Sequence, residues 1–241
     1  MLDSVLLVED DEDIARLLQV HLEELSLTVT HIADGVDALN MAKKKQHAIF
    51  MLDLMLPNMD GLSLCRELKS LYPMSSVIIV TSKSSEIDKI IGLEVGADDY
   101  ICKPFNSREL QARVKAQLRH VRQLNDKSSI PTSSDDKIQV GALTIDTDCH
   151  EILLGDIKLE LTATEFELLQ FFAKHPNHVF SRSQLLESVW GYQHSGYEHT
   201  VNSHINRLRA KLDPISNHIV IETVWGVGYK LNASSLQGVN A

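Results

Sequence analysis

Apolar positions in the first half of the chain follow two alternating patterns. Short unbroken runs at 5–8, 48–52, 77–80 and 100–102 read as strands buried on both faces of a sheet, and 27–32 reads as a further strand. Between them apolar residues recur at helical spacing. The repeats are Ile14, Leu18 and Leu22, with Leu17 and Leu25; Val36, Leu39 and Ala42; Leu62, Cys65, Leu68 and Leu71; Ile87, Ile90, Ile91 and Val95; and Leu110, Val114, Leu118 and Val121. Asp34-Gly35, Pro57, Gly61, Pro73 and Gly96 punctuate the segments. Five strand–helix alternations predict an α/β domain over 1–122, a doubly wound five-stranded parallel sheet of flavodoxin-like type.

The pattern changes after a polar, serine-rich stretch, NDKSSIPTSSDD, which reads as a flexible linker over 123–136. Short strands follow at 138–140, 143–145, 151–154 and 158–161, with turns at Gly141, Asp148 and Gly155. Thr162, with Glu165 three residues on, opens a helix in the capping-box pattern. Ser181 opens a second helix through Leu185, Leu186 and Val189, stopped by Gly191. A third runs from about 197 to 212 and ends before Asp213-Pro214. A hairpin closes the domain, 219–224 and 229–231 around Trp225-Gly226-Val227-Gly228, and 233–241 is left as a tail. Three helices and a terminal hairpin predict an α+β winged helix over 137–232. In its third helix Val201, Ile205, Leu208 and Leu212 make one apolar stripe. Ser203, Asn206, Arg207 and Ala210 are expected opposite, with Arg209 and Lys211 on the flanks, and no acid falls between 200 and 212.

The chemistry collects at strand ends, where open α/β sheets carry their sites. The first strand runs into Glu9 and Asp10, the third into Asp53, the fourth into Thr81 and Ser82, and the fifth into Lys103-Pro104. If the first and third strands are neighbours, Glu9, Asp10 and Asp53 converge. Three such carboxylates raise one another's pKa unless a cation intervenes, and Mg2+, a hard ion with oxygen ligands, suits them. Asp11, Glu12 and Asp13 are explained by the helix they open.

These residues carry a resemblance. LLVEDDED, the DLMLPNMDG around Asp53, IIVTSK and GADDYICKPF resemble the receiver domain of two-component response regulators over residues 3–122. The resemblance implies that Asp53 accepts a phosphoryl group from a sensor histidine kinase. Asp10, Asp53 and the main-chain carbonyl of Met55 would hold Mg2+, with Glu9 acting through water. Thr81 and Lys103 would bind the phosphoryl oxygens beside the switch positions Ser82 and Tyr100, and Lys103-Pro104 would be a cis peptide. It also implies a homodimer on phosphorylation, pairing Lys89 with Glu109, Asp98 with Lys115 and Asp99 with Arg113 around Ile90, Leu93 and Ala112.

LTATEFELLQ, VFSRSQLLESVWG, HTVNSHINRLRAKL and IETVWGVGYKL resemble the output domain of OmpR/PhoB-type regulators. Implied partners are double-stranded promoter DNA and RNA polymerase, and the implied contacts are Arg207, Arg209, Asn206, Asn202, Thr200, Lys211, Trp190 and Trp225. Arg207 is expected to read a base and Arg209 and Lys211 to hold phosphates. The chain departs from the family at Asn206 and His199, where arginine is common, at Asn202, where aspartate is usual, and at Trp225, an arginine in some relatives.

The resemblance implies a regulator, not an enzyme, and composition is compatible with it. At 241 residues, 44% hydrophobic and 23% charged, the chain suits two ordinary globular domains. No apolar run approaches a membrane span, and the acidic N-terminus does not read as a signal peptide. The three scattered cysteines Cys65, Cys102 and Cys149 read as reduced thiols in a cytoplasmic protein. The net charge of −10 argues against a nonspecific nucleic-acid coat. Each half carries five more acids than bases, so DNA binding needs a local basic surface. The alternative is a phosphotransfer or protein-interaction module with weak or lost specific DNA binding.

Overall fold

The apolar runs of the first half become β1 (Ser4–Val8), β2 (Thr28–Ile32), β3 (Ile49–Leu52), β4 (Ser76–Thr81) and β5 (Asp99–Cys102), all parallel in the order β2-β1-β3-β4-β5. The computed structural model describes residues 3–125, 137–191 and 198–237. These fall into two units, Met1–Asn125 and Asp126–Ala241. Strands β1, β3 and β4 are buried along their whole length, as continuous apolar runs demand. Successive side chains serve opposite layers. Leu7, Met51 and Ile78 pack with Leu18, Leu22, Val114 and Leu118, while Leu6, Phe50 and Ile79 pack with Ala38, Leu64, Leu68 and Leu93.

Helices α1 (Glu12–Glu23), α2 (Gly35–Lys44), α3 (Gly61–Leu71) and α4 (Glu86–Val95) each start behind a capping side chain: Asp11, Asp34, Asp60 and Ser85. Gly96, at φ 131°, ends α4. Helix α5 (Ser107–Asn125) runs three residues into the stretch read as linker; residues 126–136 lie outside the described residues. The order reverses between β1 and β3, which register Val8 against Leu52. That reversal opens the crevice where ligands bind in such sheets.

In the second unit β6 (Lys137–Val140), β7 (Leu143–Asp146), β8 (Glu151–Leu154) and β9 (Ile157–Lys158) form an antiparallel meander. The fourth strand is shorter than the sequence suggested and shifted towards Gly155. Helix α6 (Ala163–Lys174) follows, with the Thr162 N–H donating to Glu165 at 3.0 Å. Helix α7 (Arg182–Leu185) starts at Ser181 and continues as a π-helical turn, Leu186–Trp190, before Gly191 at φ 75°. Helix α8 spans Glu198–Ser216 and carries Pro214 inside its last turn, past the expected stop at 212. Pro214 has no N–H to give the Ala210 carbonyl, and the neighbouring Asp213 Oδ1 accepts from Val220 N at 3.1 Å.

Strands β10 (Ile221–Val224) and β11 (Gly228–Leu231) make the hairpin. It docks on the turn before α7: Phe180 and Tyr229 exchange backbone hydrogen bonds at 2.9 Å. A Cβ on Gly228 would lie 1.9 Å from the Phe180 carbonyl oxygen, so only glycine fits there. Part of the expected tail is domain. Ala233–Leu236 form a 3-10 turn that buries Leu236 in the core beneath Gly141. Among the described residues no helix is long and apolar enough to cross a membrane.

Candidate functional site

The carboxyl ends of β1, β3, β4 and β5 bring the expected residues together. Glu9, Asp10 and Asp53 offer carboxylate oxygens within 4.8 Å of one another. Lys103 Nζ, from the end of β5, donates to both oxygens of Glu9 at 2.8 and 2.7 Å and to Asp53 Oδ2 at 2.5 Å. The Lys103-Pro104 peptide is cis. Asp53 Oδ1 accepts from the backbone N–H groups of Leu54 and Met55, at 2.5 and 3.1 Å. Glu9 and Asp53 are buried, whereas Asp10 is exposed and opens the cluster to solvent.

One ammonium faces three carboxylates, so two negative charges stay uncompensated. Hard oxygen donors at this spacing, with one member in water, fit a divalent cation. Burial works to raise the Asp53 carboxyl, but hydrogen bonds from Lys103 and Thr81 hold it below its ordinary value. Burial, helped by the Asp53 charge, lifts Glu9 against the pull of Lys103. Burial lowers Lys103 and its two carboxylate partners outweigh that, so its pKa is raised. The buried acid at the centre is therefore ionised and available as a nucleophile.

The loop behind Asp53 is fixed by Gly61, read from the sequence only as a turn, and by Asn58, which sequence reasoning passed over. A Cβ on Gly61 would sit 2.1 Å from the Asp53 carbonyl oxygen, so glycine lets α3 start against the site. Asn58, at φ 60°, donates its amide to Asp34, the cap of α2. Asn58 in that left-handed turn was the available signal. Thr81 is buried and Ser82 exposed. Tyr100 points inward and its hydroxyl donates to the Lys83 carbonyl at 2.8 Å.

Several residues expected at the dimer contact are engaged within the chain. Asp98 is fully buried and pairs with Lys69 of its own chain at 2.7 Å, so it is not placed to meet a partner's Lys115. Asp99 and Arg113 are also buried and pair within the chain at 2.9 Å, and Arg113 reaches Glu109 at 2.8 Å. Leu93 belongs to the core. The large apolar residues α4 shows to solvent are Ile87, 69% exposed, and Ile91, 41% exposed. On α5 Lys115 and Ala112 are exposed, and on α4 Lys89 and Ile90 are half-buried.

The DNA-facing residues divide likewise. Asn206, Ala210 and Trp225 are exposed, Trp225 at 91%. Trp190 is fully buried, edge-on to His204, and Thr200 is buried beside them, so both support α8 from inside. Ser203 is buried too. Arg207, only 12% exposed, faces Glu165 at 3.1 Å. Lys211 donates to Glu165 at 2.7 Å and to the Glu160 carbonyl at 2.8 Å. Arg209 donates to the Ile221 carbonyl and to Thr223 Oγ1, both at 2.8 Å, holding the hairpin. Asn202 Oδ1 accepts from Arg182 at 2.9 Å and from the Tyr229 hydroxyl at 2.8 Å. The side of α8 bearing Arg207 and Lys211 lies under α6, which a helical wheel drawn from one apolar stripe does not reveal. Glu165, read only as a cap, is the missed residue; two cations four apart facing one buried acid were its signal.

Comparison with known proteins agrees with this division. Residues 5–115 match the response regulator receiver domain, and 156–231 the C-terminal domain of transcriptional regulatory proteins. The chain is 41% identical over 237 residues to the transcriptional regulatory protein SrrA of Staphylococcus aureus, covering 98% of each. Among solved structures, two single-residue mutants of RitR match with TM-scores of 0.72 and 0.69 at 28% identity, over 95% of this chain and 99% of theirs.

Proposed function

Because the chain belongs to the two-component response regulators of the OmpR/PhoB family, a receiver domain followed by a DNA-binding domain, we propose that Asp53 is its phosphoacceptor and controls transcription through the winged helix. One observation carries this reading: a buried Asp53 sits 2.5 Å from a lysine and beside two further acids. A carboxylate oxygen of Asp53 attacks the phosphorus of a phosphohistidine on a sensor kinase. The new O–P bond forms as the N–P bond breaks, and the imidazole leaves with the electron pair. Asp10, Asp53 and the Met55 carbonyl would hold Mg2+ directly, with Glu9 through water. The ion would supply charge neutralisation for the phosphoryl oxygens. Lys103 gives up part of its hold on Asp53 to meet those oxygens, and the Thr81 hydroxyl donates to one of them.

The output is promoter binding and engagement of RNA polymerase in the cytoplasm. Two phosphorylated chains pair through α4, β5 and α5, with Ile87, Ile91 and Ala112 in the contact and Lys89 set against Glu109. Asp99 and Arg113 exchange their internal pairing for one between chains, and Asp98 takes no part. In DNA the third helix enters the major groove and the hairpin places Trp225 against the backbone or minor groove.

The test is capture of genomic DNA fragments by the full chain, with and without a small acyl phosphate donor. Wild-type protein is expected to enrich particular fragments in the presence of the donor, and Asp53→Asn is expected to ignore it. Equal enrichment by both proteins, donor or not, would contradict the switch. Retention that bulk competitor DNA abolishes would favour the phosphotransfer-module alternative, towards which the internally engaged cations of α8 point.

A further inference from the structure

We infer that Asn206, and not Arg207, is the base-specifying side chain of α8, and that the base it takes is adenine. The inference rests on the DNA reading proposed above and deepens it to a class of sequence. It begins with what Arg207, Lys211, Arg209 and Asn202 of the helix already hold. Arg207 is almost wholly buried against Glu165, a carboxylate that is itself 1% exposed. Swinging Arg207 into a groove would strip a buried acid of one of its two cations. Lys211 is the other cation, and its remaining bond goes to the Glu160 carbonyl. Arg209 is spent on the hairpin, Nε on Ile221 and Nη2 on Thr223, with its guanidinium 5.6 Å from the Tyr229 ring centre. Asn202 gives its carbonyl oxygen to Arg182 and Tyr229.

The exposed arc of α8 is therefore centred on Asn206, with the small exposed Ala210 one turn along. A carboxamide presents one acceptor and a donor pair side by side. Adenine in the major groove presents the complement, the N6 amino donor beside the N7 acceptor. Guanine presents two acceptors, O6 and N7, so the carboxamide oxygen would face an acceptor and lose its bond. Cytosine and thymine each satisfy half of the group. Ala210, about 6 Å further along the same face, offers a methyl group that suits the thymine C5 methyl. The chemistry points to an A·T-biased core in each half-site, where an arginine at position 206 would select guanine.

The experiment is selection from a randomised double-stranded DNA library by the full-length chain, with Mg2+ and an acyl phosphate donor. Wild type, Asn206→Ala, Asn206→Arg and Arg207→Gln are compared, the first two substitutions lying on an exposed surface that the fold does not need. Wild type is expected to fix adenine at one position of the half-site. Asn206→Ala is expected to flatten that position, losing roughly tenfold discrimination or more, and to leave the other positions readable. Asn206→Arg is expected to convert adenine to guanine there, and Arg207→Gln to leave that base unchanged. An Asn206→Ala profile identical to wild type overturns the inference. So does a preference lost in Arg207→Gln and kept in Asn206→Ala. If wild type itself enriches no sequence, the inference falls together with the DNA-reading function; enrichment indifferent to Asn206 overturns the inference alone.

Discussion

Lys103→Ala is expected to slow phosphoryl uptake on Asp53 on the order of a hundredfold, the cost of losing one preorganised charge at a developing transition state. Lys103 is the cation bonded to both Glu9 and Asp53. Without it, burial and the neighbouring acids are opposed only by the remaining hydrogen bonds, among them those from Thr81 and the Met55 N–H, and the Asp53 carboxyl rises. The domain should stay folded, since Glu9 or Asp53 can take a proton in place of the lysine. A pH signature follows. In wild type the depressed Asp53 pKa keeps the nucleophile ionised through neutral pH. In Lys103→Ala the residual rate should fall as the solution is taken from neutral towards acid. Timed uptake from an acyl phosphate across that range reads both effects, and a variant with wild-type rate and pH profile would exclude the assigned role of Lys103.

Glu165→Gln is expected to destabilise the output domain by about 3 kcal/mol, the scale seen when one partner of a buried pair is removed. The substitution keeps shape but leaves Arg207 unneutralised in the contact between α6 and α8. Burial pushes the Glu165 carboxyl up, and the charges of Arg207 and Lys211 bring it below its ordinary value. A carboxyl depressed in the folded state contributes stability that is fully present above its unfolded pKa. That contribution is lost as pH falls through the folded one. The gap between wild type and Glu165→Gln should therefore be widest near neutral pH and close in acid. Both tryptophans of the chain lie in the second unit and Trp190 is fully buried, so denaturation followed by tryptophan fluorescence reports that unit within the intact chain. Equal midpoints at neutral pH would show that Glu165 is only a cap.

The receiver was legible in the sequence because its central strands β1, β3 and β4 are buried on both faces, which leaves apolar runs that no amphipathic helix imitates. The carboxylate cluster was legible through the same strands, since Glu9 and Asp53 each end one of them. Its remaining condition, adjacency of β1 and β3, is met in the sheet. Periodicity was weaker wherever a helix has more than one covered side. Leu17 fell in the apolar repeat of α1 yet is 49% exposed, while Arg207 and Ser203 looked outward and are covered. Asp99 and Arg113 illustrate a different limit. Opposite charges at suitable spacing do not say whether the pair closes within one chain or between two, and in the single chain it closes within. Leu236 was assigned to a tail because the last apolar residue before a polar end carries no pattern, although it packs in the core.

The phosphoacceptor assignment is tested most directly by the mass of the intact chain after incubation with Mg2+ and a small acyl phosphate, followed by mapping of the modified residue. The expected result is one phosphoryl group per chain, on Asp53, absent from Asp53→Asn and suppressed when the divalent cation is chelated. Full uptake by Asp53→Asn, or uptake unaffected by the chelator, would contradict it.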